Sequence, residues 1–273
     1  MQYKRILITG STDGIGKETA VKLAAKNHEI IIHGRQGAKV DNTVDWLKQK
    51  TGNEKIFGEI ADFSSLKEVK RLAMRLKDTY DSLDVLLNNA GIMNPDFETT
   101  IDGFEKSFQV NYLAPFVLTN NLLPLLKHAE QGRVVNVSSM IHAGDIHLDD
   151  LELRWNYSGS SAYSATKLYN ILFTFKLARL LSGSTITCNC FHPGVINTKL
   201  LRNNFGNIGG PVDEGARNSV YLADNPEVAD VSGHYFRDSR VAAPSPIAND
   251  RKVQDELWNK TMNMVSNFLA DYS

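Results

Sequence analysis

Short runs of aliphatic and β-branched residues alternate along this chain with longer stretches of helical period. Residues 5–9 precede 17–25, 29–33 precede 40–49, and 56–60 precede 66–76. The alternation continues through 83–87, a helical region over 104–126, then 133–137, a helix over about 162–181, and 185–191. Runs such as Ile30-Ile31-Ile32 and Val134-Val135 are apolar at successive positions, which suits strands covered on both faces. Right-handed crossovers then predict an α/β fold, a doubly wound parallel sheet of Rossmann type with helices on both faces. No composition break, low-complexity tract or further repeat divides the chain, so residues 1–273 are expected to form one domain.

Charge excludes some partners. The 30 basic side chains are matched by 31 acidic ones, so nothing in the balance favours nucleic acid or anionic lipid, and a small neutral or anionic ligand fits better. Cys188 and Cys190 stand two apart in a strand and share a face, a poor geometry for a mutual disulfide, and read as reduced core thiols. With the seven histidines scattered, no metal site is expected. The apolar stretch 113–126 is short and interrupted by Pro115, Asn120, Asn121 and Pro124, so it is not a membrane span. The N-terminal residues Met1 to Arg5 run into a strand without the pattern of a secretory signal, which predicts a cytoplasmic protein.

Thr9-Gly10-Ser11-Thr12-Asp13-Gly14-Ile15-Gly16 follows the first strand and opens a helix, the context of a phosphate-cradling loop. Gly10 permits the tight turn, Gly14 admits a pyrophosphate to the backbone, and Gly16 lets helix and strand pack closely; exposed N–H groups at the helix start favour the anion. A dinucleotide is the expected ligand. Its type depends on the end of the second strand, where a carboxylate would bind a ribose 2′-hydroxyl and a cation a 2′-phosphate. His33-Gly34-Arg35 stands there, which favours NADP(H) over NAD(H) unless Arg35 is simply a solvated loop residue. Asp62 can accept from the adenine amino group or cap the following helix with Ser64.

Tyr163 and Lys167 are four apart at the start of a helix and share a face, which brings an ammonium close to a phenol whose ordinary pKa is about 10. Such a pair alone is commonly a surface pair. Here Ser138-Ser139 ends the fifth strand, Asn88-Asn89-Ala90-Gly91 ends the fourth, and Asn111 lies in the long helical region, so several polar features converge on one sheet edge.

These motifs, with Pro193-Gly194, resemble the short-chain dehydrogenase/reductase family over nearly the whole length, particularly its retinol dehydrogenase-like and carbonyl reductase-like branches. The resemblance implies Tyr163 as proton donor or acceptor, Ser139 rather than Ser138 as the substrate-positioning hydroxyl, Lys167 as charge source and ribose ligand, and Asn111 as anchor of a water relay. It also implies that Ser11, Thr12, Asp13 and Ile15 join the glycines around the cofactor, that Asn89, Ala90 and Gly91 line it, and that Pro193, Gly194 and Thr198 close around the nicotinamide carboxamide. The expected reaction is NADPH-dependent reduction of a fairly apolar carbonyl compound, or oxidation of the alcohol, by a monomer, homodimer or homotetramer. Three features depart from the commonest pattern. Ser139 and Tyr163 lie 24 residues apart, implying an inserted loop; Asp13 stands where some NADP-binding members carry a basic residue; and no retinoid substrate follows from the resemblance.

Residues 141–161 and 200–211 read as irregular substrate loops or ordinary surface loops. Within the first, His142 and His147 read as loop residues, and Trp155 and Tyr157 as contacts to substrate or to the body of the protein. The stretch 253–269 reads as an amphipathic helix used for the core, a lid or an interface. Two other functions compete, a non-catalytic NADP(H)-binding redox sensor and an isomerase or dehydratase that retains its nicotinamide.

Overall fold

In a computed structural model describing residues 3–270, eight strands form one sheet: Arg5–Ile8 (β1), Glu29–Gly34 (β2), Ile56–Ile60 (β3), Val85–Asn88 (β4), Gly132–Val137 (β5), Ile186–Phe191 (β6), Tyr235–Arg237 (β7) and Arg240–Ala242 (β8). Met1 and Gln2 of the signal-free N-terminus expected above lie outside the described residues. The strand order is β3-β2-β1-β4-β5-β6-β7-β8, parallel throughout except for β8. The order reverses between β1 and β4, and the crevice at their carboxyl ends is where such sheets bind ligands.

Side-chain alternation divides the core into two layers. Ile6, Ile8, Ile30, Ile32, Val85 and Leu87 face helices Gly14–Ala24 (α1), Gly37–Thr51 (α2) and Val212–Asp224 (α8). Leu7, Ile31, Leu86 and Val134 face the opposite layer, made from Leu66–Thr79 (α3), Ala114–His128 (α5), Gly159–Leu180 (α6) and Arg251–Val265 (α9). A short helix, Lys106–Phe108 (α4), and a π turn, Gln109–Leu113, lead into α5. In α3 the apolar residues Leu66, Val69, Leu72, Ala73 and Leu76 form one stripe beneath a Ser65 cap, whereas α6 is buried nearly all round, as a central helix must be. Cys188 and Cys190 are free and buried in the second layer. No helix among the described residues is long and apolar enough to cross a membrane.

Two expectations change. Residues 200–211 are not wholly irregular, because Lys199–Phe205 (α7) is a helix capped by the Thr198 hydroxyl, which accepts the Leu201 N–H. None of its residues is buried, so it carries no apolar period to announce it. The sheet is also not wholly parallel. Asp238 and Ser239 both adopt positive φ, 51° and 57°, and turn the chain back from β7 into β8, two strands of three residues each and too short to show a period.

The C-terminal helix α9 packs on α6, and core packing is the use the structure gives it. Phe173 of α6 lies 5.1 Å from the ring of Phe116 and 6.0 Å from that of Trp258, joining α5, α6 and α9. Phe173→Ala should lower the unfolding free energy by about 3–5 kcal/mol in a denaturant titration; a loss below 1 kcal/mol would show that these helices are held by other contacts.

Candidate active site

The end of β1 is tied to the end of β4 by a closed set of hydrogen bonds. Thr9 Oγ1 accepts the N–H groups of Asn89 at 2.9 Å and Ala90 at 3.0 Å, while Asn89 Nδ2 donates to the carbonyls of Thr9 at 2.8 Å and Gly10 at 3.1 Å. Side chains would prevent this approach. A Cβ on Gly10, which has φ +61°, would lie 2.8 Å from Ala90 Cα, and one on Gly16 would lie 2.5 Å from Asn89 Nδ2 and 2.7 Å from the Gly10 carbonyl. Ser11 is fully buried and braces the loop on β2, its hydroxyl donating to Ile8 O at 2.7 Å and accepting His33 N–H at 3.0 Å. Ile15 packs at Gly215 of α8.

His33 also belongs to this cradle. Its Nδ1 accepts the Gly10 N–H at 3.2 Å, its Nε2 pairs with Ala61 O at 3.1 Å, and its ring stacks on Phe63. Burial pulls its pKa down to about 4, so at neutral pH Nδ1 keeps the lone pair that holds Gly10. Beside it Arg35 is exposed and makes no hydrogen bond or ion pair among the described residues. Thr12 fills the space above Gly34, where a Cβ would lie 2.7 Å from its methyl group. Asp13 caps α1 by accepting the Gly14 N–H at 2.8 Å and pairs with Lys39 at 3.3 Å, which offsets an acid at this anion-binding end. Of the two roles open to Asp62, the local one is present: Oδ1 accepts both the N–H and the hydroxyl of Ser64.

At the ends of β4 and β5 the remaining candidates meet. Tyr163 shares a hydrogen bond with Ser139, and Lys167 Nζ lies 5.3 Å from the centre of the Tyr163 ring while donating to Val137 O at 2.9 Å. Ser138 is occupied elsewhere, its hydroxyl donating to Lys167 O at 2.8 Å. Asn111, in the π turn, accepts the Ile92 N–H through Oδ1 and donates through Nδ2 to Ile92 O and Thr166 Oγ1, so its side chain fixes the strand-end segment after Gly91. A point just above Gly91 Cα is 3.5 Å from Asn111 Oδ1 and 3.6 Å from Lys167 Nζ. After β6, Gly194 adopts φ +101° behind Pro193 and donates its N–H to His192 Nδ1; Thr198 lies 3.6 Å from where a Cβ on Gly14 would be. Burial raises the Tyr163 phenol to about 12, with the Ser139 hydrogen bond acting in the opposite sense, and burial lowers the Lys167 ammonium to about 8.

Several contributors escape a motif reading. Thr9 and His33 stand inside the motifs themselves but act through hydrogen bonds between strand ends, and Lys39, on α2, acts by pairing with Asp13. His142, a loop residue by sequence, clamps Ser139: its Nδ1 bonds Ser139 O at 2.7 Å and its Nε2 accepts the Ser245 N–H at 2.9 Å. Tyr157 packs the inserted loop onto the body through Asn94 O and Glu105, while Trp155 is 83% exposed.

Residues 4–208 match the family model for short chain dehydrogenase. The chain belongs to the short-chain dehydrogenase family. It is 38% identical to human retinol dehydrogenase 13, across 96% of this chain and 84% of that protein. Among solved structures, a protein from Mycobacterium paratuberculosis is 32% identical with a TM-score of 0.79, covering 96% of this chain and 93% of the other. A short chain dehydrogenase from Escherichia coli CFT073 complexed with NADPH is 25% identical with a TM-score of 0.71, over 85% and 95% of the two chains. The short-chain dehydrogenases are nicotinamide-dependent oxidoreductases, and this member carries their fold and retinol dehydrogenase-like relatives.

The depressed Lys167 has a measurable consequence for stability. Between pH 8 and 10.5 the unfolded chain holds the lysine proton and the folded chain has released it, so stability from this group rises with pH through that window. Relative to Lys167→Met, wild type should therefore gain on the order of 3 kcal/mol between pH 7.5 and 10.5 in paired unfolding curves. A constant difference would place the lysine pKa near its ordinary value.

Proposed function

We propose that this chain is an NADP(H)-dependent oxidoreductase that reduces a carbonyl group on an apolar small molecule, or oxidises the corresponding alcohol, with Tyr163 as the acid/base. The observation that carries this reading is the meeting of Tyr163, Ser139 and Lys167 beside the glycine cradle at the carboxyl edge of the sheet. The residues present suit the cofactor. At Gly10 and Gly16 a Cβ would collide with its neighbours, and the exposed Arg35 guanidinium, without an ion pair among the described residues, suits a 2′-phosphate. When bound, NADPH supplies the hydride and, once oxidised, a second positive charge near the phenol.

The protein's own part is to hold the substrate oxygen and deliver a proton. Ser139 positions the oxygen, and Tyr163, neutral with a pKa near 12, retains its proton at neutral pH and can donate it. Lys167 Nζ lies 5.3 Å from the centre of the phenol ring, so its positive charge favours the phenolate left behind. Ser139 keeps its orientation because His142 and the Tyr235 hydroxyl hold its carbonyl.

The segments that follow β5 and β6 at this edge leave Met140, Ile141, Val195, Phe205 and Ile208 between 44% and 50% exposed. Apolar side chains left open around a polar centre support an apolar substrate. The retinol named for the human relative is of that class.

Tyr163→Phe should reduce NADPH-dependent turnover of ketones, aldehydes, quinones or retinoids by at least a thousandfold while NADPH affinity, followed by nucleotide fluorescence, changes less than about threefold. Substantial residual turnover would remove Tyr163 from the mechanism. Arg35→Asp should weaken NADPH binding by about ten- to a hundredfold and leave NADH binding nearly unaltered; equal effects on both nucleotides would assign Arg35 to the solvated surface.

A further inference from the structure

The helix that leads into α5 is interrupted for a reason visible in its covalent chemistry. In a continuous α-helix the carbonyl of Asn111 would accept the N–H of residue 115. That residue is Pro115, which has no N–H. The backbone adopts a π turn, in which the Ala114 N–H reaches five residues back to Gln109 O. The Asn111 carbonyl instead accepts Nδ2 of Asn170 at 3.0 Å, from α6. Asn170 is 3% exposed and stands one turn after Lys167, so α6 delivers the ammonium and this amide to neighbouring points of the site.

The polar contacts extend on both sides. The Asn170 carbonyl accepts the hydroxyl of Thr174, Thr174 accepts Asn136 Nδ2, and Asn136 accepts Asn88 Nδ2 at the end of β4. On the other side, Asn111 holds both polar groups of Ile92, directly after the Gly91 that lies against Lys167. A buried carbonyl deprived of its helical donor needs a replacement, and the replacement here determines where the Asn111 peptide sits.

We propose that Asn170 is a positioning residue for the reaction: it substitutes for the N–H missing at Pro115, fixes the Asn111 peptide, and thereby holds the Gly91–Ile92 segment against Lys167. The proposal depends on the Tyr163/Lys167 reading of the site for its kinetic consequence, though not for the contact itself. Asn170 touches no reacting atom.

Three variants of the full chain test it: Asn170→Ala, Pro115→Ala and the double variant. Asn170→Ala should lower kcat for carbonyl reduction about tenfold with KM for NADPH changed less than threefold, and displace the alkaline limb of the kcat–pH profile by half a unit or more. Pro115→Ala returns an N–H to the helix, so the double variant should recover kcat to within about threefold of Pro115→Ala alone. Wild-type kcat and pH profile in Asn170→Ala, or a double variant no better than the single one, would overturn the proposal. Should Asn170→Ala fail to fold, recovery of folded, active protein in the double variant supports the proposal and continued unfolding rejects it. If the wild type turns over no carbonyl compound, the functional reading fails separately. The cycle is then read in ligand-free protein from the NMR titration of the Lys167 ammonium, which Asn170→Ala should displace and Pro115→Ala restore; an unmoved titration in Asn170→Ala rejects the proposal.

Discussion

Lys167 carries an ammonium group into the interior with a backbone carbonyl, Val137 O, as its hydrogen-bond acceptor and no carboxylate paired with it among the described residues. Holding a cation there is costly, and its proton is loosened accordingly. The surrounding structure supplies the compensation. Lys167 sits on α6, whose Leu168, Ile171, Leu172 and Phe173 are buried in the middle of the second layer, and whose aromatic contacts reach α5 and α9. The helix that bears this unfavourable charge is thus buried and packed on both of its neighbours in the layer. Tyr163, one turn earlier, inherits that rigidity, and Ser139 beside it is held through its carbonyl by His142 and Tyr235.

A second constraint operates where the strand order reverses. The ends of β1 and β4 approach closely enough that glycine is required at positions 10 and 16, and side-chain amides complete the junction. Asn89 and Asn111 act alike: each uses its own donors and acceptors to pin neighbouring backbone, the first on the glycine loop and the second on the segment after Gly91. The cradle is preorganised by these bonds, which lowers the ordering cost that a ligand would otherwise meet. His33 contributes through the same logic, since burial keeps it neutral and a neutral ring can accept from Gly10.

The outer side of the site is built differently. The inserted loop is fastened at its ends, by His142 to Ser245 and by Tyr157 to Asn94 and Glu105, while α7 buries none of its residues and is closed at its base by hydrogen bonds between Val195 or Asn197 and Gly210. The polar centre is therefore flanked on one side by α7, with no buried residue, and on the other by an inserted loop that packs Leu151 and its apolar neighbours on the second layer. A segment such as α7 opens at lower free energy than the core, and exposed apolar side chains, Ile141 on the loop and Phe205 on α7 among them, stand on both flanks.

Wherever one stretch of chain contained its own physical cause, the sequence was sufficient. Apolar runs covered on both faces implied a parallel sheet, the glycine spacing after β1 implied a close backbone approach, and the four-residue interval from Tyr163 to Lys167 placed phenol and ammonium on one helix face. The hairpin of β7 and β8, the exposed helix α7, the clamp by His142 and the Asn170 contact with Asn111 had no such local cause. Each depends on groups brought together from distant positions, and hydrogen bonds between distant residues leave no period in a sequence. Pro115 illustrates the division: its missing N–H, and hence an unsatisfied carbonyl at Asn111, follow from the sequence alone, but only the packing of α6 against the π turn decides that the amide of Asn170 answers it.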